Sequence, residues 1–490
     1  MPITDQVERW PATLLRVVLL IATVGGPLTN ARAFDEGAAA GQSAPPAAAA
    51  GEGDATGKEA AKPAAPKPLP GIAPEVAPTT KDDYLRDQRR RVQELRRLQM
   101  TMTPQVLTDY QKVQRDFRSL LFQGDMPKQK DLETIKTGLK FMVLSLSDKD
   151  VQAVPLDFEN AVKKLRNELG RAGAGKINPA AKAKFRELVM GETFTLLQGL
   201  MKHNLLARSA AIEVLQDLEV VPSTGGARLT MYDKVDDELV RIMMDKDQPD
   251  AVKVRVANTM VNYLEKADAI PQIQAAFARA VATELDKPFL DESYQVFLLA
   301  TLEKVTIARE VVAPQQAIAI CAAAKFLRNP SFELLPRCRA ARVLGRAGYD
   351  AQMNFDVLAW ATADLATETA FKFNQAQDKK DQKWVLCASY LYTAFHHWDR
   401  DEATGRPADA LPKGFLNRAD KSEVVREAYN SAIPLIHHML FQTKGISRND
   451  LGKLFQWVTA NKPANLKFDP SCPPLAMPAA NPPAQGGGGN

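Results

Sequence analysis

Residues 249–261, with the sequence PDAVKVRVANTMV, carry Arg255, a small residue three positions later and an aliphatic residue three positions after that. The same pattern occurs twice more, at Arg208/Ala211/Val214 and at Arg337/Ala340/Val343. The three arginines are separated by 47 and 82 residues, and 82 is twice 41. A repeat of roughly 40–47 residues is the length of a unit of two packed helices, so the spacing predicts a stack of such units with a long binding surface.

The Pro249-Asp250 turn followed by Val254-Arg255 resembles the turn between the two helices of a HEAT repeat, and the resemblance covers about residues 200–350. It implies an all-α fold, a right-handed α-solenoid of antiparallel helix pairs of the HEAT-like, armadillo type. In that family the arginine braces adjacent repeats by bonding an acidic residue at the turn. Asp250 is the candidate acidic partner of Arg255. The unit expected 41 residues past Arg255 lacks the arginine. A non-repetitive helical bundle is the alternative.

The whole body reads as helix, because no run of alternating β-branched residues is bounded by turn signals. Prolines separate the helical segments, which we place at 82–100, 104–122, 129–146, 157–170, 179–200, 204–219, 233–245, 250–265, 271–285, 290–305, 314–327, 332–347, 354–374, 381–398, 420–442 and 448–459.

Composition divides the chain into five parts. Residues 34–80 are rich in Ala and Pro and the end of the chain reads NPPAQGGGGN, so we expect a disordered linker and a disordered tail. The predicted parts are a signal peptide (1–33), the linker (34–80), an N-terminal helical region (81–200), HEAT-like repeats (201–462) and the tail (463–490).

The N-terminus has the pattern of an export signal. Arg9 and Arg16 precede the apolar run 17–24, and Ala31-Arg32-Ala33 has the spacing of a signal-peptidase site. We therefore expect an exported protein, periplasmic or secreted. The alternative is an uncleaved membrane anchor formed by residues 14–26, behind which the linker would let the folded body reach away from the membrane.

The charge balance bears on the partner. The chain has 63 basic and 58 acidic residues, a net charge of +5, whereas a nucleic-acid binder needs dense clustered positive charge. We expect no nucleic-acid partner, and a membrane contact only if the N-terminal segment stays as an anchor. The basic segment 81–97 is typical of a solvated amphipathic helix.

Four of the five histidines form two adjacent pairs, His396-His397 and His437-His438, and the pairs lie 41 residues apart. Residues one repeat apart occupy equivalent places on neighbouring units, so one imidazole of each pair can face its counterpart. Tyr390 lies seven residues before His397 and is expected on an exposed helix face. We therefore select a candidate binding patch of Tyr390, His397, Asp399 and His438. Because no third metal ligand can be placed, we predict neither a metal nor a cofactor.

Cys321 and Cys338 flank the break at Asn329-Pro330 almost symmetrically. In an antiparallel helix pair these positions are level, so in an oxidising compartment they are the candidate disulfide; otherwise they are reduced core residues.

No nucleotide-binding or catalytic motif stands in the sequence. We expect an exported, non-enzymatic scaffold that binds another protein or an envelope polymer on a solenoid surface. The alternatives are a metal-assisted enzyme that uses the histidine pairs and, third, a nucleic-acid binder.

Overall fold

The computed structural model describes residues 78–98, 102–176, 178–222, 229–311, 315–396, 414–419, 422–442 and 444–476. The expected signal peptide or anchor, most of the linker and residues 477–490 of the expected tail lie outside these ranges. None of the described helices is long and apolar enough to cross a bilayer.

The described chain is all-α apart from one short hairpin. The helices are α1 (Lys81–Arg97), α2 (Pro104–Gln123), α3 (Gln129–Leu144), α4 (Lys149–Ala153), α5 (Pro155–Arg171), α6 (Pro179–Leu200), α7 (Leu205–Leu215), α8 (Val235–Met244), α9 (Asp250–Lys266), α10 (Pro271–Leu285), α11 (Glu292–Glu303), α12 (Ile318–Leu327), α13 (Leu334–Arg346), α14 (Phe355–Gln375), α15 (Gln382–Phe395), α16 (Phe415–Arg418), α17 (Glu423–Phe441) and α18 (Arg448–Ala460). A single 3₁₀ turn (Ser145–Ser147) follows α3.

Local sequence explains where the helices begin. The side chains of Asn204, Asp291 and Ser422 accept hydrogen bonds from backbone N–H groups in the first turns of α7, α11 and α17. Proline opens α2, α5, α6 and α10, where its missing N–H costs nothing. These caps and prolines account for the predicted helices; the short α4 and α16 were not predicted.

The helices from α7 onward pack in two rows. The first row consists of α7, α9, α11, α13, α15 and α17, each in contact with the next member. The second row consists of α8, α10, α12 and α14, again in order. Consecutive helices also pack across the rows, α8 on α9, α10 on α11, α12 on α13 and α14 on α15. The core therefore runs without interruption between the two rows.

Buried cations brace neighbouring helices, and two of them belong to the repeated arginine pattern. Arg208 donates to Gln248 Oε1 at 2.7 Å, and Arg337 donates to both carboxylate oxygens of Glu368 at 2.8 and 2.7 Å. The expectation for Arg255 is wrong, because this side chain is exposed.

Lys253 takes the bracing place in α9. It contacts Glu284 of α10 at 3.2–3.3 Å, and both side chains are only 1% exposed. Two residues turn a helix by about 200°, so Lys253 and Arg255 point to nearly opposite sides. Asp250 instead accepts a hydrogen bond from the Tyr84 hydroxyl at 2.7 Å and thereby docks α1.

A β-hairpin interrupts the helices, although the sequence indicated no strand. β1 (Glu219–Val221) pairs antiparallel with β2 (Thr230–Met231). The strands contain three and two residues, too few for an alternating pattern to be recognisable. The carbonyl oxygen of Glu219 accepts a hydrogen bond from the buried Arg186 at 2.7 Å, which ties the hairpin to α6.

The expectation of a disordered tail from residue 463 is wrong for its first part. Residues 463–476, the C-terminal segment, pack on the body with Phe468, Cys472 and Leu475 buried. Arg309 donates to the buried Asp469 at 2.6 Å, and Asn354 N donates to Phe468 O at 2.7 Å. Low-complexity composition concealed these few anchoring side chains.

The predicted Cys321–Cys338 disulfide is also wrong, because Cys321 is bonded to Cys472. Cys321 faces the C-terminal segment, whereas Cys338 is buried with its Sγ 3.7 Å from Thr369 Oγ1 of α14. Cys338 and Cys387 are free thiols, and Cys338 together with burial raises the pKa of the Cys387 thiol. The Cys321–Cys472 bond joins residues that are 151 positions apart.

Lys253 predicts a pH dependence of stability. Burial lowers its pKa from 10.5 to about 8 despite the Glu284 carboxylate. Between these values the unfolded chain holds the proton that the folded chain has lost, so the free energy of unfolding rises with pH. We expect wild type to gain up to about 1.4 kcal/mol per pH unit between pH 8 and 9.5, relative to Lys253→Met, in denaturant titrations. The exposed Lys202→Met is the control and should keep the wild-type trend; equal slopes for all three proteins would contradict the assignment.

The Cys321–Cys472 bond predicts a redox dependence of stability. Reduction or Cys472→Ser should lower the free energy of unfolding by about 2–5 kcal/mol, because the unfolded chain regains the freedom of a long loop. Denaturant unfolding with and without dithiothreitol measures the effect. Dithiothreitol should leave Cys472→Ser unchanged, and an equal response of the two proteins would refute the bond's role.

Candidate functional site

Three arginines of α13 converge on one carboxylate at the end of α11. Arg339 Nη2 lies 2.5 Å from Glu303 Oε2, while Arg342 Nη2 and Arg346 Nε each lie 3.0 Å from Oε1. We call Glu303, Arg339, Arg342 and Arg346 the arginine cluster. Positions 339, 342 and 346 are three and four residues apart, which places them on one face of α13.

Tyr390 of α15 lies beneath this cluster. Its ring centroid is 4.9 Å from the Arg339 guanidinium and 5.8 Å from that of Arg342, within the range of a cation–π interaction. The expectation that Tyr390 is exposed is wrong, because α13 covers the α15 face that carries it. Tyr390 is nevertheless a direct neighbour of Arg339 and Arg342 in the arginine cluster.

Close helix packing brings the cluster together. A Cβ on Gly345 would stand 2.2 Å from the carbonyl oxygen of Ala394, so only glycine allows α13 to approach α15 this closely. Gly414 N also donates to Gly345 O at 2.7 Å, which fixes α16 beside the same turn. Arg346 follows Gly345 directly, and its position therefore depends on this contact.

The charges of the arginine cluster do not balance. Burial alone would raise the pKa of Glu303, but the three arginines hold it well below its usual range, so the group is a carboxylate. Burial and the neighbouring Arg339 and Arg346 lower the pKa of Arg342, against the pull of Glu303. Among the described residues, three guanidinium charges thus face one carboxylate, which leaves a surplus of two positive charges.

Part of the hydrogen-bonding capacity of the cluster is unused. Arg339 Nε and Arg346 Nη1 are buried and have no hydrogen-bond partner among the described residues. Glu303 Oε2 likewise accepts no well-directed hydrogen bond there, so its short contact with Arg339 is a charge pair. Buried N–H groups without acceptors are uncommon, because each costs desolvation energy that nothing repays.

One histidine of each pair contacts the same ring, that of Tyr392. His396 stacks on Tyr392 with ring centroids 5.5 Å apart, and His437 lies 5.9 Å from the same ring. His438 instead donates from Nε2 to the Lys444 carbonyl at 2.8 Å. Of the predicted patch, His397 and Asp399 lie outside the described residues, and the structure brings Tyr390 and His438 to different neighbours.

The described ranges, which omit His397 and Asp399, contain no group of three or more His, Cys, Asp or Glu side chains that could hold a metal ion. A separate cleft of about 460 Å³ lies between α3, α4 and α5, with Phe141, Asp150, Asp157 and Lys164 in its wall. Asp150 and Asp157 stand in the first turns of α4 and α5, where carboxylates offset the helix dipole. Helix structure therefore accounts for these two acids.

The repeated arginine pattern includes Arg337 but not the three arginines that follow it. The segment RCRAARVLGR (337–346) carries four arginines, and their spacing separates Arg337 from the other three around the helix. That separation was a usable signal for a charged helix face. Nothing in the sequence linked this face to Glu303.

Comparisons with known proteins give no assignment: the chain matches no protein-family model, and no curated protein is significantly similar to it.

Glu303 predicts a large effect of one substitution. Glu303→Gln leaves three arginines together without a counter-charge, and removing one partner of a buried ion pair costs about 3–5 kcal/mol. We expect a loss of this size in the free energy of unfolding by chemical denaturation. Glu265→Gln is the matched control, since Glu265 forms a more exposed pair with Lys304 and its loss should cost less than about 1 kcal/mol. A loss no greater than that of the control would contradict the charge balance described here.

Proposed function

We propose that this protein is an exported, non-enzymatic interaction scaffold, and that its helices form a right-handed, HEAT-like α-solenoid. The partner is another protein or an envelope polymer, bound along the first row of helices. The observation that carries the proposal is the packing of six first-row helices in chain order, α7 to α17. Such a row offers a continuous surface to which every repeat contributes.

The bracing contacts support the solenoid assignment. Arg208 of α7 binds Gln248, which lies just before α9, and Arg337 of α13 binds Glu368 of α14. In HEAT repeats the corresponding arginine connects adjacent units. The buried pair of Lys253 and Glu284 makes the same kind of connection between α9 and α10.

The disulfide supports export. Structural disulfides persist in oxidising compartments and are rare in the cytosol. The Cys321–Cys472 bond joins the C-terminal segment to α12, and Ser471 beside it accepts a hydrogen bond from Ala317 N at 3.2 Å. This agrees with the predicted signal in residues 1–33. A membrane-anchored form exposed to the same compartment would keep the bond as well.

Thiol labelling tests the export half of the proposal. The full chain and a chain that lacks residues 1–33 are expressed in parallel, and denatured extracts are treated with a maleimide that adds mass to each free thiol. The chain has four cysteines, so we expect two labels on the full chain and four on the truncated one. Four labels on both, with the full chain in the cytosol, would refute export.

Site-specific crosslinking tests the interaction half. A photoreactive amino acid replaces the exposed Arg255 on α9 of the first row or the exposed Gln272 on α10 of the second row. In cells, position 255 should give a defined adduct and position 272 should give none. Adducts from both positions alike, or from neither, would contradict binding along the first row.

A further inference from the structure

We propose that the arginine cluster is a binding site for a phosphoryl group, the doubly charged tetrahedral oxyanion of inorganic phosphate or of a phosphate monoester. The inference stands on the geometry of Glu303, Arg339, Arg342 and Arg346 and does not depend on the scaffold function. A phosphoryl group would balance the surplus positive charge and accept hydrogen bonds from the two unused N–H groups, Arg339 Nε and Arg346 Nη1.

The charge of the cluster selects a dianion. Three guanidinium groups and one carboxylate leave two positive charges, and a phosphate monoester carries about −1.5 to −2 at pH 7. Arg418 lies beside the C-terminal end of α13. It donates to Leu344 O at 3.4 Å, and its guanidinium lies 4.3 Å from the Tyr349 ring centroid. The charge of Arg339, Arg342 and Arg346 therefore attracts anions.

The free donors favour a tetrahedral ligand over a planar one. The two unused donors, Arg339 Nε and Arg346 Nη1, belong to arginines two helical turns apart. Glu303, a planar carboxylate, already lies among the three arginines and leaves these donors unused. A phosphoryl group presents three acceptor oxygens in different directions and can accept from several guanidinium groups at once.

The cluster reaches the surface. Glu303 is 1% exposed, but the side chains of Arg339, Arg342 and Arg346 are 12, 23 and 13% exposed. The carboxylate thus lies on the inner side and the guanidinium groups form the outer edge. An anion that approaches from solvent meets arginine first, and rotation of Arg342, the most exposed of the three, gives it access to the donors beneath.

Thermal unfolding of the purified protein tests the site with four added anions at equal ionic strength. Inorganic phosphate and glycerol phosphate are the probes, chloride is the reference and succinate is a dianion without tetrahedral geometry. We expect both phosphoryl compounds to raise Tm in a saturable way and succinate to have the effect of chloride. A monoester effect without an inorganic phosphate effect would assign the site to a phosphoryl group carried on a larger molecule. Succinate equal to phosphate would overturn the phosphoryl assignment.

Two variants place the effect in the cluster. Arg346→Gln removes a guanidinium and its charge and should raise the Kd for phosphate about tenfold or more, whereas Arg115→Gln makes the same change on an exposed part of α2 and should leave the Kd unchanged. Equal Kd values for both variants would overturn the site.

Glu303→Gln distinguishes a ligand site from a purely structural cluster. This variant removes the competing internal carboxylate, so phosphate should raise its Tm more than it raises that of wild type. A structural cluster predicts a lower Tm without any greater response to phosphate. If Glu303→Gln does not fold, Glu303→Asp, which retracts the carboxylate, provides the same comparison, and an unchanged phosphate response would count against the site.

Discussion

The structure depends on buried charge that is shared between helices that follow one another in the chain and belong to different rows. Lys253 and Glu284 are both almost fully buried, and their contact joins α9 to α10. Arg337 and Glu368 join α13 to α14 in the same manner. A buried charge without its partner costs several kcal/mol, so neither helix of such a pair can shift without leaving an unpaired ion. The apolar core provides most of the stabilisation, while these pairs fix which helices are neighbours and in which register.

Helix α13 is the element on which most of these constraints meet. Arg337 pairs with Glu368 on one side of the helix, and the three arginines of the cluster pair with Glu303 on the other. Cys338 faces α14, and Gly345 allows the close approach of α15. With so many neighbours fixed by specific contacts, the surplus charge of the cluster cannot be relieved by moving the helix. The surplus is therefore preserved in the folded state, where it is available to an anion.

Helix positions could be read from the sequence because they depend on local signals. Prolines, capping side chains and apolar periodicity act within a few residues, and α9, α10 and α14 stand close to where these signals place them. Pairings between distant residues were not readable in the same way. Cys321 bonds Cys472 across 151 residues, and Glu303 meets arginines more than thirty positions later. Such pairings depend on which helices pack against each other, and no local sequence pattern specifies that. Lys253 and Arg255 show the limit on a smaller scale, since a shift of two residues decides which cation is buried.

The C-terminal segment shows how little sequence is needed to change an expectation. Its composition is that of a disordered tail, yet Phe468, Asp469 and Cys472 are each buried against the folded body. The buried Asp469 pairs with Arg309, and Arg309 also pairs with Asp350 just before α14. The segment thus connects the loop after α11 with the start of α14, across the second row. A segment held by an ion pair and a disulfide depends for its full stability on a compartment in which the disulfide persists. Under the proposed export, the Cys321–Cys472 bond would form in the oxidising compartment where the protein is expected to act and would hold the segment on the body there.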